Sequence, residues 1–160
     1  MGSSWLGLMR PLFPFVLIFA VAETGLAQEP EEICFLTIAK STSSGHPERK
    51  NYVINDKSEW EALWAQVVSP GNPKPALPEI DFTRRTVIGV FQGTQPNPTF
   101  EVIITGMTQN QGKIDVFVKE HLGACVAPGI VANSFHLVEV ERLVTDAVEF
   151  TIKQKVRKCP

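Results

Sequence analysis

The sequence contains no H-x-x-x-H or C-x-x-C spacing, no G-x-S-x-G turn and no glycine-rich phosphate loop. Zinc sites, nucleophile elbows and nucleotide cradles each depend on such local patterns, so none of those chemistries is indicated. Charge of either sign is also scarce as a block: 15 Lys and Arg stand against 17 Asp and Glu, for a net −2. Nucleic-acid binding needs a concentrated basic patch to displace counterions. The nearest candidates, Arg84-Arg85 and the tail KQKVRK, read as solvated strand ends. Long apolar runs are missing too, because PLFPFVLIFAVA is interrupted by Pro11 and Pro14 and falls short of the roughly 20 residues that span a bilayer.

What that run does match is a secretory signal. Arg10 precedes it, and small residues follow in ETGLAQEP, so cleavage is expected after Ala27, with Ala20 and Ala22 as the second choice. Residues 1–27 are then a cleaved signal peptide and 28–160 a single domain, long enough for one core. No stable membrane anchor is expected after cleavage, and the product is secreted or periplasmic. Three cysteines, Cys34, Cys125 and Cys159, would meet an oxidising compartment. A disulfide between Cys125 and Cys159 is expected, since it would tie the C-terminal tail to a Gly/Pro-rich loop. Pairing of Cys34 with Cys159, joining the two ends of the domain, is the alternative.

One helix and many strands are legible. In DKSEWEALWAQVV, Asp56 can cap and Glu59 stands three positions on, while Trp60, Leu63, Trp64, Val67 and Val68 fall on one stripe. Two tryptophans there suit the cover of a sheet better than a ligand platform. Residues 28–32 read as loose, 33–40 and 52–54 as strands, and 86–92 as a strand covered on both faces. A hairpin turning through MTQNQG would set Val102 opposite Val118, Ile104 opposite Val116, Glu101 opposite Lys119 and Ile103 opposite Phe117. Strands SFHLVEV and AVEFTIKQ follow. The expected class is α+β, predominantly β: about seven short strands in an antiparallel sheet, as a sandwich or partly closed barrel, with one amphipathic helix packed on it.

Candidate chemistry is thin. Cys125 and His121 are the sole local thiol and imidazole pair, and an exported thiol is better read as half of a disulfide. His46 and His121 are isolated, and His136 reads as a packed or solvated sheet residue. Glu139 with Glu141, and Glu29 with Glu31 and Glu32, read as solvent-facing charges. No metal, cofactor or catalytic residue is expected, and binding through loops on a rigid scaffold becomes the default.

From Leu77 to Phe150 the chain resembles the C-terminal domain of the protease-complex subunit family PrcB. The similarity rests on Asp81-Phe82, residues 87–93, the loop around Gly123 and Cys125, and Phe135-His136-Leu137-Val138. It implies a small exported β-rich accessory domain, without catalysis of its own, that associates with an exported protein, possibly a protease. Where the family has a Gly-Gly-aromatic step after Gly93, this chain has Asn97-Pro98-Thr99-Phe100, and Ser134 stands where a proline precedes the aromatic and His. Prolines restrict φ and lower the entropy lost on holding one shape. The expected protein-binding residues are therefore Gly93, Thr94, Gln95, Pro96, Asn97, Pro98 and Phe100, beside the 123–129 loop. Two further readings stand: a protease inhibitor acting through the proline-stiffened 93–99 loop, and a small thiol enzyme or hydrolase.

Overall fold

A computed structural model describes Gly2 and residues 29–71, 73–96, 100–123 and 130–157. The rest of the expected signal segment, together with Asn97, Pro98, Cys125 and Cys159, lies outside these residues. In chain order the elements are β1 (Glu31–Glu32), β2 (Phe35–Ser41), β3 (Arg49–Ile54), α1 (Lys57–Val67), β4 (Arg85–Gln95), β5 (Glu101–Asn110), β6 (Lys113–Gly123), β7 (Ala132–Glu141) and β8 (Val148–Arg157). They form two four-stranded sheets, β2-β7-β4-β3 and β1-β5-β6-β8. The fold is thus α+β and predominantly β, a sandwich of two largely antiparallel sheets rather than a closed barrel.

Three layers result, and the middle one explains the apolar runs. Ile88 and Val90 of β4, with Val138 and Val140 of β7, meet Val102, Ile104, Met107, Ile114, Val116 and Val118 of the second sheet. Val87, Phe91, Phe135 and Leu137 face the other way, onto Trp60, Leu63, Trp64 and Val67 of α1. A sheet covered on both sides has no polar face, so β4 and β7 lose the alternation that marks a half-solvated strand. We call β2-β7-β4-β3 the inner sheet and β1-β5-β6-β8 the outer sheet. The tryptophan stripe is core, each buried large side chain contributing about 1.5–3 kcal/mol.

The helix starts where the cap predicts. Asp56 Oδ1 accepts from the Glu59 backbone N–H at 2.9 Å and from Ser58 Oγ at 2.7 Å, bonds that hold its carboxyl below the usual carboxylate range. Trp60 Nε1 donates to the Pro78 carbonyl at 3.0 Å, fastening the proline-rich connector across the helix.

The β5–β6 hairpin departs from the expected register. Its turn is two residues, Gln111 and Gly112, both at positive φ (51° and 78°), and Asn110 faces Lys113. Both central φ angles of a type I′ turn are positive, and that turn follows the twist of the flanking strands. A bulge at Thr105 then shifts the ladder by one. Val102 therefore faces Glu120, Ile103 faces Lys119 and Ile104 faces Val118. The observed slip relative to expectation is two residues beyond the bulge, which keeps the same side chains on the buried face.

Three other elements differ from the sequence reading. Glu31 and Glu32, expected to be loose, form β1 and pair with Gln109 and Thr108 of β5. Val148–Arg157 runs parallel to β6, the one parallel pair among otherwise antiparallel ladders. Gly93, Thr94 and Gln95, expected in a loop, extend β4 through a bulge after Phe91 and pair beside Asn133 and Ala132 of β7.

Candidate functional site

Along β5 the backbone edge beyond β1 has no strand beside it among the described residues, and β7 side chains meet it there. Val102 N–H donates to Ser134 Oγ at 3.0 Å and Ile104 N–H donates to His136 Nδ1 at 2.9 Å, linking the outer sheet to the inner one. Because Nδ1 accepts, the proton of the neutral ring sits on Nε2, which donates to Thr37 Oγ1 at 2.9 Å. Burial, reinforced by the nearby Lys40 charge and opposed by Glu101, pushes His136 down to about 4. Ser134 and His136 are 1% and 3% exposed. Both ring nitrogens are used in the seam, one by a backbone N–H and the other by the Thr37 hydroxyl.

One end of the sandwich gathers the strand ends of three successive pairs: β2 with β3, β4 with β5, and β6 with β7. These ends are pinned by hydrogen bonds. Thr94 N–H donates to the Pro47 carbonyl and Asn133 N–H to the Thr42 carbonyl, each at 3.0 Å. Ser44 Oγ donates to the Asn133 carbonyl at 3.0 Å, and Asn133 Nδ2 returns a bond to the Ser44 carbonyl at 2.9 Å. Gly93 sits at φ 75°, with the Arg49 backbone nitrogen only 2.8 Å from where a Cβ would stand. Both the conformation and the close approach require glycine. His46, buried beneath this end, donates from Nδ1 to the Glu48 carbonyl at 3.1 Å and bonds Tyr52 Oη at 2.7 Å through Nε2. Its ring lies 4.3 Å from that of Phe91.

Between the sheets at the same end lies a polar cluster that the sequence reading missed. Glu120, 2% exposed, accepts from Arg49 Nη2 on β3 and, through its other oxygen, from Gln154 Nε2 on β8 at 3.0 Å. Gln92 stands alongside, its Nε2 directed at the His121 carbonyl at 3.5 Å. Among the described residues Gln92 Oε1 and Asn133 Oδ1 are buried acceptors without a hydrogen-bond partner. A signal was available: Glu120 is in phase with Ile114, Val116 and Val118, and Gln92 with Ile88 and Val90, so period-two counting puts both inside.

Of the expected binding residues, Gly93 is buried in β4, Thr94 is exposed, Gln95 is half-buried, Pro96 is exposed and Phe100 is half-buried just before β5. Beside the β4 end, where Gln95 pairs with Ala132, stand Ile130 and Val131, exposed by 53% and 65%. These two were not singled out from sequence, where the following strand reads as SFHLVEV, beginning at Ser134. Cys34 is exposed at the opposite end and has no disulfide partner among the described residues, in a cleft of about 460 Å³ shared with Glu31, Glu32, Arg85 and Arg142. Arg142 is already engaged there, donating to the Asn55 and Phe82 carbonyls at 2.8 and 2.6 Å.

Among the described residues no three His, Cys, Asp or Glu side chains are grouped as a metal site would need, and no helix is long and apolar enough to cross a membrane. No protein-family model, curated protein or solved structure matches this chain.

Proposed function

We propose that this chain is an exported binding domain without catalysis of its own, docking another exported protein through the loop-bearing end of the sandwich. The observation behind this reading is the exposed pair Ile130 and Val131, set beside Gln95 and Pro96 on strand ends that hydrogen bonds hold in place. Apolar side chains held in water on a rigid base lose little entropy when a partner covers them. The PrcB resemblance makes an exported protease the first class of partner to try. Non-catalytic character is supported by the use of both nitrogens of His136 and His46 and both oxygens of Glu120 in holding the fold together.

Affinity capture from the exported protein fraction tests this, comparing the wild type with Ile130→Ser/Val131→Ser and Pro96→Gly/Pro98→Gly. A specific partner whose recovery falls about tenfold or more in the variants is expected, in line with the truncation of central contacts. Undiminished recovery from both variants would remove this end from the interface. If the partner is a protease that loses activity at near-stoichiometric addition, the role is inhibition rather than accessory binding.

A further inference from the structure

The outward face of the outer sheet has its own asymmetry of charge. At one end Lys113 is neutralised by Asp115 at 3.3 Å and by Glu149, bonds that hold its ammonium above the usual lysine range. At the other end Lys119, Lys153 and Lys155 line a groove of about 420 Å³ with Phe117, Thr105 and Thr151, and no carboxylate lines it. None of these three lysines has an ion pair among the described residues, and the nearby Glu101 is bridged to Lys40 at 3.4 Å. In a chain of net charge −2, an unbalanced cationic groove is the exception. It borders β8, which ends the order β1-β5-β6-β8 and so presents ten residues of strand with one edge unpaired among the described residues.

From these two features we infer that β8 accepts an extended acidic peptide segment as an added strand, with carboxylates over Lys119, Lys153 and Lys155. An added strand would pair its backbone with the open edge of β8, and its alternate side chains would fall on the groove face. Lys153 and Lys155 are two residues apart on one strand, a spacing of about 6.6–6.8 Å that alternate acidic residues on a neighbouring strand reproduce. Phe117, packed 3.7 Å from the position of a Cβ on Gly106, provides an apolar floor between the lysines. Edge lysines normally deter strand addition. Here they deter neutral and basic strands and complement an acidic one, so the same residues select. A second copy joined through its own β8 is the poorer match, because that strand brings one carboxylate, Glu149, against two lysines, Lys153 and Lys155. The chain's own Glu31 and Glu32 are committed to β5 at the far edge of the sheet.

The test uses the full chain and a fluorescein-labelled ten-residue peptide alternating Glu and Val, read by anisotropy. Its Lys-Val counterpart, versions N-methylated on either alternating set of residues, and a sulfated oligosaccharide serve as comparisons. Saturable binding of the Glu-Val peptide is expected, lost on methylating at least one set and weakened at least about tenfold by Lys153→Glu/Lys155→Glu, whereas the Lys-Val peptide stays unbound. Lys153→Ala/Lys155→Ala, with its thermal unfolding recorded, separates loss of charge from loss of fold. Absence of saturable binding, or binding that survives both methylations or the charge reversal, overturns the inference. Lysine-dependent binding of the oligosaccharide alone would overturn it too, reassigning the groove to a glycan.

Discussion

The inner and outer sheets are built from similar numbers of strands, yet they tolerate change differently because one has two covered faces and the other has one. Every inward or outward residue of β4 from Thr86 to Gly93 is buried, whereas β5 and β6 alternate buried with half-buried or exposed positions. The inner sheet supplies the fold's rigidity. The outer sheet presents an outward face and an open edge at β8, while the loop-bearing end rests on the ends of β4 and β7 of the inner sheet.

The sharpest way to break this contrast is to truncate the inner sheet. Phe91→Ala, at a side chain 2% exposed and stacked 5.7 Å from Phe135, should cost about 3–5 kcal/mol in urea unfolding. A loss below about 1 kcal/mol would mean that the helix and inner sheet do not share one core.

The seam between the sheets should respond to pH. The folded-state value of His136 is lowered to about 4 from an ordinary 6.5, so the unfolded chain binds the extra proton between those values. Its contribution, about 3 kcal/mol at most, is complete above pH 6.5 and lost as pH falls through about 4. Unfolding measured from pH 7 to 4 should show that decline in the wild type and a flatter profile in His136→Gln.

Smaller effects probe the loop-bearing end. Gly93→Ala places a Cβ against the Arg49 backbone at positive φ and should destabilise by about 1–3 kcal/mol. Glu120→Ala leaves Arg49 and Gln154 without their shared acceptor, at about 1–3 kcal/mol, discounted because Arg49 is about half exposed. The smallest change belongs to the open face: Phe117→Ala should cost under about 1.5 kcal/mol, since that ring is only partly covered. A loss as large as that of Phe91→Ala would erase the distinction between the sheets.

What could be read from sequence follows the same division. The helix, its cap and the run of β4 were legible because propensity, periodicity and burial all pointed one way. The hairpin register was not, since Gln111-Gly112 is a tighter turn than MTQNQG suggests and the bulge at Thr105, signalled only by the neighbouring Gly106, was not counted. Two glutamates carry no strand pattern, so β1 emerges only from its pairing with β5. The parallel course of β8 follows because the chain leaves the outer sheet after β6, runs back through the inner sheet as β7 and returns, a long-range fact absent from any window of sequence. At the candidate site, Gly93 to Gln95 read as loop from their turn residues and instead extend β4, while Glu120 and Gln154 were passed over as strand residues and Arg49 lies in a segment whose composition reads as loop.

Hydrogen exchange on a complex with the captured partner tests the central claim, that a two-sheet scaffold presents its binding surface at the end where β4 stops and β7 begins. The account predicts slowed exchange at residues 93–100 and 123–132 with little change in β2 or α1. Protection centred on the opposite end, around Cys34 and Arg142, with none at those two segments, would contradict it.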